Sequence, residues 1–159
     1  MRLTSHTAAA FTLVESIVAI SLVGLGIATS VGALTKINAF ASMGRNSTGA
    51  YTAVMNQIDK IHSYKPFNPL HRDENGVADP EIPPELALGT RVEPNIPIYK
   101  DPTSGVVVSG TRTTQVVDAT PPNYKGSKLV MYRATVTVAY TYLTRNVAFS
   151  MSTVRTCDE

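Results

Sequence analysis

Residues 10 to 34 read AFTLVESIVAISLVGLGIATSVGAL, a stretch in which Glu15 is the lone charged residue. After Glu15, nineteen consecutive residues from Ser16 to Leu34 carry no charge. A helix of about 20 apolar residues is long enough to cross the hydrocarbon of a bilayer. Segment 11–34 is therefore predicted to be a transmembrane helix. A carboxylate inside such a segment raises the free energy of membrane insertion by a few kcal/mol. We therefore predict that Glu15 has a function and that its carboxylate pairs with a partner group.

The residues before Glu15 suggest what its carboxylate pairs with. A charge-sparse stretch from Ser5 to Ala10 ends in three alanines directly before Phe11. Cleavage between Ala10 and Phe11 would expose an amine four residues before Glu15. We name this amine as the partner that the carboxylate needs.

The hexapeptide AFTLVE at residues 10–15 resembles the processing site of class III signal peptides, which type IV pilins and pseudopilins carry. In that family a membrane prepilin peptidase removes a short leader before a phenylalanine and methylates the new amine. The glutamate at the fifth mature position then guides assembly. The resemblance implies a leader at residues 1–10, cleavage between Ala10 and Phe11, N-methylation of Phe11 and an assembly role for Glu15.

The same resemblance implies a location and a set of partners. The chain would be a single-pass protein of the bacterial inner membrane, with a cytoplasmic N-terminus and a periplasmic C-terminal domain. Its partners would be the prepilin peptidase, the membrane, and other pilin or pseudopilin subunits. It would be incorporated as a structural subunit, of the minor kind, into a type IV pilus or a type II secretion-type pseudopilus.

Gly24, Ala28 and Gly32 recur at every fourth position and form a stripe of small residues on one face of the predicted helix. Such a stripe lets neighbouring helix backbones approach closely in a membrane or a bundle, and we predict a helix-packing role for it. The simpler interpretation is that glycine is tolerated in membrane helices.

Residues 35–65 keep a helical pattern and are predicted to continue the same helix in water. Apolar residues recur there with the period of 3.6 and predict a stripe that faces a core: Tyr51, Val54, Met55, Ile58 and Ile61. The opposite face is assigned to four polar residues, Asn56, Gln57, Asp59 and Lys60. The helix is expected to stop at Lys65, because the residue before Pro66 is pushed out of the helical region.

All ten prolines lie between Pro66 and Pro122, so this stretch is predicted to be a long irregular connector. Short strands are expected within it at Val106–Ser109 and Thr113–Val117. Four of its residues could offer oxygen ligands to calcium, as a loop of some pseudopilins does: Asp73, Asn75, Asp79 and Glu81. Their spacing fits no EF-hand, so a solvated acidic turn is the simpler interpretation and no metal site is predicted.

The C-terminal third alternates apolar and polar residues. Apolar residues stand at every second position in two runs: Tyr132, Ala134, Val136, Val138, Tyr140 and Tyr142, and then Val147, Phe149 and Met151. This period of two, interrupted at residues 143–146, predicts an antiparallel hairpin with one apolar face. We therefore predict an α+β fold in which the long N-terminal helix packs on a small antiparallel sheet within residues 66–159. This is the pilin architecture, and the final hairpin resembles that of minor pilins and the smaller pseudopilins.

Composition excludes several other functions. A net charge of +2 with scattered Lys and Arg residues predicts no nucleic-acid partner. His6, His62 and His71 share no ligand spacing, and the single Cys157 cannot form an intrachain disulfide. Neither a phosphate-binding loop nor a nucleophile elbow occurs. The sequence therefore predicts neither an enzyme nor a cofactor.

Three alternatives stay open beside the pilin-like interpretation. The first is an uncleaved signal-anchored envelope protein with a ligand-binding β-domain, in which Tyr140 and Tyr142 would form an exposed aromatic patch. The second is a membrane-tethered envelope hydrolase, for which no nucleophile–base pair or metal triad is found. The third is an ordinary secretory signal, but the apolar run exceeds the roughly 7–15 residues of that class of signal.

Overall fold

The computed structural model describes residues 12–64, 66–102, 104–124 and 129–157. The elements are helix α1 at Leu13–Ser63 and strands β1 at Gly89–Lys100, β2 at Val107–Asp118, β3 at Met131–Tyr142 and β4 at Arg145–Thr156. Short 3-10 turns occur at Pro84–Leu86 and Pro122–Tyr124. The chain divides into two compact units between Ser42 and Met43. The predicted α+β class, a long N-terminal helix packed on an antiparallel sheet, is confirmed.

The sheet is an antiparallel meander with strand order β1-β2-β3-β4. β3 and β4 pair without a break, from Met131 opposite Thr156 to Tyr142 opposite Arg145. They are joined by a two-residue turn rather than by the whole of residues 143–146, because Arg145 already begins β4. This hairpin is the one that the alternating pattern predicts.

The prediction of an irregular connector was wrong over residues 89–118, where β1 and β2 pair as two strands of twelve residues. The two short strands expected there merge into the single strand β2. Pro94 and Pro97 misled the prediction because both lie in the edge strand β1, where a missing N–H is tolerated. The pairing of β1 with β2 shifts register close to both prolines. Residues 66–88 do remain irregular apart from isolated bridges and the 3-10 turn at Pro84–Leu86.

The core lies between the second half of α1 and the inner face of the sheet. The helix contributes Ala50, Val54, Ile58 and Ile61, and the sheet contributes Ile98, Val116, Tyr132, Ala134, Val136, Val138 and Tyr140. The connector adds Phe67 and Leu86, both fully buried. The tilted rings of Phe67 and Tyr132 lie 5.1 Å apart, which joins the connector to β3.

Two assignments on the helix were wrong. Tyr51 is 48% exposed, and Gln57, which was assigned to the polar face, is 3% exposed. Ala50 takes the buried position instead of Tyr51. The face that contacts the sheet is turned around the helix axis from the predicted stripe, away from Tyr51 and toward Gln57. It consists of Asn46, Ala50, Val54, Gln57, Ile58 and Ile61.

The sequence correctly predicts which residues of β4 face the core, but these residues are less buried than expected. Val147, Phe149 and Met151 pack against the core as half-buried residues. They are not fully covered because β4 is an edge strand.

Candidate functional site

The first unit consists of the apolar part of α1, and nothing in the described chain covers it. Every residue from Ile17 to Ala41 is exposed. Ile20 and Phe40, for example, are each 73% exposed. By length and composition this part of the helix could cross a membrane.

Thr12 sets the start of this helix. Its hydroxyl oxygen accepts a hydrogen bond from the backbone N–H of Glu15 at 3.3 Å. Its carbonyl oxygen accepts one from the backbone N–H of Ser16 at 3.1 Å. Thr12 is therefore the N-cap, and Glu15 stands three residues later, where a carboxylate interacts favourably with the helix dipole. The Thr-x-x-Glu spacing at residues 12–15 is a signal for this cap that our sequence interpretation did not use.

The carboxylate of Glu15 lies on the exposed surface of the first turn. None of the ion pairs formed within residues 12–64, 66–102, 104–124 and 129–157 involves it. The predicted cleavage site, Ala10 and Phe11, and the methylated amine of Phe11 lie outside the described residues. The pairing of Glu15 with an amine therefore stays a prediction.

The small-residue stripe is open to the outside. A Cβ atom added at Gly24 or Gly32 would meet nothing within 4 Å, and Ala28 is exposed. Gly49 behaves differently, because a Cβ atom there would overlap the carbonyl oxygen of Ile98 on β1. Gly49, which the sequence did not single out, therefore allows a close approach between the helix and β1. Packing through Gly24, Ala28 and Gly32 stays a prediction about another helix.

The polar side chains of the apolar segment are satisfied by their own helix. Each serine or threonine hydroxyl from residue 16 to residue 35 donates to a backbone carbonyl three or four residues earlier: Ser16, Ser21, Thr29, Ser30 and Thr35. The distances from Ser21, Ser30 and Thr35 are 2.8, 2.8 and 2.9 Å. A hydroxyl without a partner is costly in an apolar medium, so these bonds make the segment compatible with lipid or with a helix bundle.

The second unit has a groove between α1 and β1 with a volume of about 450 Å³. Its charged lining residues are Asp59, Lys60 and Arg112. The guanidinium of Arg112 is paired with Glu93, which also binds Arg91 at 2.8 Å. The charged groups that line the groove are therefore of both signs.

The acidic residues of the connector form a turn. The Asp73 carboxylate accepts hydrogen bonds from the backbone N–H groups of Asn75 and Val77 at 3.0 and 2.7 Å. Arg72 donates to the carbonyl oxygen of Gly76 across the same turn at 2.8 Å. In the part of the chain that the structure describes, no group of three or more His, Cys, Asp or Glu residues could hold a metal ion.

The aromatic patch expected for a ligand-binding β-domain is not formed. Tyr140 is 4% exposed, and its hydroxyl lies 3.2 Å from the Ser47 hydroxyl of α1. Tyr142 is half-buried. Both tyrosines lie on the apolar face of the hairpin, as the alternating pattern predicts, and the helix lies over this part of β3.

Comparison with protein-family models, with curated proteins and with solved structures gave no match. The function is therefore inferred from the residues and geometry of this chain.

Proposed function

We propose that this chain is a structural, non-enzymatic subunit, of the minor kind, of a type IV pilus or a type II secretion-type pseudopilus. One observation carries the proposal. A single helix begins as an uncovered apolar segment with one carboxylate, Glu15, and ends as an amphipathic face on a four-stranded sheet. The AFTLVE motif at residues 10–15 supplies the family resemblance.

In the proposed pathway the subunit is first stored in the inner membrane, with its sheet in the periplasm. The prepilin peptidase cuts between Ala10 and Phe11 and methylates the amine of Phe11. The apolar helices of several subunits then bundle, with the open stripe of Gly24, Ala28 and Gly32 allowing close approach.

Glu15 would direct this bundling. The Phe11 amine precedes it by four residues, a separation that would equal about 6 Å along the axis if the helix extended back to Phe11. A neighbouring subunit displaced by that amount would set its amine against this carboxylate. In the low dielectric of a helix bundle such a pair attracts much more strongly than in water. The uncovered apolar side chains would supply the rest of the contact.

Mass spectrometry of the membrane-extracted protein tests the processing step. We expect a mature chain that lacks the ten leader residues and begins at a methylated Phe11. Ala10→Gly should be cleaved at least as well, whereas Ala10→Glu should remain uncleaved. A mature N-terminus beyond Gly24 would instead identify an ordinary secretory signal, and an intact Met1 would identify a signal-anchored protein.

Glu15→Leu tests the assembly step, and Ser16→Leu is the matched control because it adds an apolar side chain next door and keeps the carboxylate. Both variants should insert into the membrane as well as wild type. Glu15→Leu alone should be depleted from the sheared filament fraction relative to the membrane fraction. Equal incorporation of the two variants would exclude charge pairing as the assembly signal.

A signal-anchored envelope protein with a ligand-binding β-domain is the second candidate function. The observation in its favour is the groove between α1 and β1, whose lining includes Asn56, Asp59 and Lys60. An intact N-terminus at Met1 together with a soluble small-molecule ligand for this groove would favour it.

A further inference from the structure

A second pocket of the second unit lies between helix α1, the 3-10 turn at Pro84–Leu86 and strands β1 and β2. Its volume is about 130 Å³. This is well below the roughly 300–1,000 Å³ of pockets that take drug-sized ligands. It is still several times the space of about 10–15 Å³ that one water molecule needs. The pocket therefore has the size for a small organic group of a few heavy atoms.

Two side chains that line this pocket are polar and deeply buried. Gln57 of α1 is 3% exposed, and Thr114 of β2 is 5% exposed. Among the residues that the structure describes, neither the Gln57 amide nor the Thr114 hydroxyl has a hydrogen-bond partner. Buried polar side chains in proteins nearly always have one. Both groups are therefore available to a ligand that enters the pocket.

Glu85 gives the pocket a negative charge that the described chain does not balance. Its Oε2 atom is buried, and no described donor forms a hydrogen bond with it. None of the ion pairs within the described ranges includes Glu85. Arg91, which also lines the pocket, is held by Glu93 at 2.8 Å. A carboxylate removed from water is costly unless a cation or donors compensate it. Because the terminal torsion of glutamate is broad, either oxygen can turn toward a group in the pocket.

Apolar side chains form another part of the lining. Val116 of β2 is 3% exposed, and Pro84, Ala87 and Leu88 belong to the chain that leads into β1. Alkyl carbons of a ligand can pack on these side chains, whereas the carboxylate of Glu85 requires a cation. A neutral ligand would leave that charge uncompensated, and an anion would be repelled by it. A short alkyl chain that carries an ammonium group meets both requirements.

We propose that this pocket binds a short alkylammonium group. An ammonium has three N–H donors, and the pocket offers three kinds of oxygen to accept them: the Glu85 carboxylate, the Gln57 amide oxygen and the Thr114 hydroxyl. The alkyl carbons would pack on Val116 and Leu88. The group can belong to a free amine or to a lysine side chain of another protein. This inference rests on the second unit and does not depend on the pilin-like function.

Three probes of similar size separate the effect of charge from that of shape: butylammonium, neutral butanol and anionic butyrate. Each is titrated into the isotope-labelled full-length chain in non-ionic detergent micelles, at constant ionic strength and in a buffer that contains no amine. Heteronuclear NMR follows the side-chain amide of Gln57 and the backbone amide of Thr114. Butylammonium should shift both signals to saturation, whereas butanol and butyrate should not.

Glu85→Gln removes the charge and keeps the size of the side chain. Glu74→Gln is its matched control, because Glu74 is an exposed residue of the connector. We expect Glu85→Gln to weaken butylammonium binding about tenfold and Glu74→Gln to leave it unchanged. Thr114→Val, which replaces the hydroxyl with a methyl group, should weaken it about threefold. Melting temperatures of the ligand-free variants show whether the fold is retained, and if one variant unfolds the other decides the matter.

A lysine with both termini blocked is the probe for a protein side chain. If it binds more tightly than butylammonium, the natural source of the ammonium is a lysine of another protein, and the reverse order identifies a free amine. Two results would overturn the proposal. One is equal binding of butylammonium and butanol, or no binding of either ammonium probe. The other is butylammonium binding that neither Glu85→Gln nor Thr114→Val weakens. Neither result bears on the processing of Phe11, which is read from the mature N-terminus.

Discussion

The two parts of helix α1 contain similar apolar residues in opposite surroundings. From Ile17 to Ala41 every residue is exposed, whereas from Asn46 to Ile61 one face is buried on the sheet. The first part carries no charge as far as Leu34 and finds no cover in the described chain. The second part is amphipathic and completes a core. One part therefore folds within this chain, whereas the other could cross a membrane by its length and composition.

The largest effect on stability is expected from a pair of variants at two isoleucines of the same helix. Ile61 is fully buried, and Ile20 is 73% exposed. Ile61→Ala should destabilise the second unit by about 2–5 kcal/mol, because it leaves a cavity in the core. Ile20→Ala should leave the unfolding midpoint unchanged. Thermal unfolding of the full chain in detergent, followed by near-ultraviolet circular dichroism, measures both. Equal midpoints would show that Ile61 contributes no more to the stability of the second unit than Ile20 does.

A second pair of variants compares two glycines of the same helix. A Cβ atom at Gly49 would overlap the Ile98 carbonyl oxygen, whereas at Gly44 it would meet nothing within 4 Å. Gly49→Ala should therefore cost about 1–3 kcal/mol through overpacking against backbone. Gly44→Ala should stabilise by up to about 1 kcal/mol, since alanine is the better helix former. Denaturant titration of both variants measures the change in the free energy of unfolding. A stabilised Gly49→Ala would contradict the close contact between Gly49 and the Ile98 carbonyl oxygen.

The β3–β4 turn offers a stabilising change in the second unit. Leu143 and Thr144 both adopt positive φ, which is unfavourable for leucine and more so for a β-branched residue. Replacing them with Asn and Gly, the residues that a type I′ turn prefers, should stabilise by about 1–2 kcal/mol. The melting temperature of the full chain should rise. An unchanged or lower melting temperature would show that this turn stores no strain.

The smallest expected effect concerns Tyr132. Burial raises the pKa of this phenol above its usual value of 10.0, and the nearby Asp118 charge raises it further. The fold therefore favours the neutral phenol. Its contribution is intact below the pKa of the unfolded chain and is lost as pH rises through the higher pKa of the folded protein. Melting temperatures measured from about pH 8 to about pH 11 should fall less steeply for Tyr132→Phe than for wild type.

Local patterns predicted the elements whose periodicity is strong. The run from Ser16 to Leu34 and the alternation from Tyr132 to Met151 both appear in the structure as helix and hairpin. β1 was missed because Pro94 and Pro97 signal a loop in sequence, although an edge strand accepts them. Phe67 and Leu86 were missed as core residues because they lie in irregular chain, where no period marks the buried side.

Some features of the candidate site could be predicted from the sequence, and others could not. The lone carboxylate of Glu15 and the open stripe of small residues can be read from the sequence, because composition alone makes a charge unusual in an apolar run. The cap at Thr12 was available from its Thr-x-x-Glu spacing. The edge position of β4 was not, because a strand becomes an edge only through its place in a sheet.

The sequence by itself determined an apolar helix with a single carboxylate, an amphipathic continuation and a C-terminal hairpin. These follow from length and periodicity, which act between residues close together in the chain. The tertiary structure decided that Gln57 is buried and Tyr51 exposed, that β1 and β2 complete the sheet, and that β4 ends it. Those outcomes depend on which distant segments cover each face, and contacts of that kind leave no local pattern in the sequence.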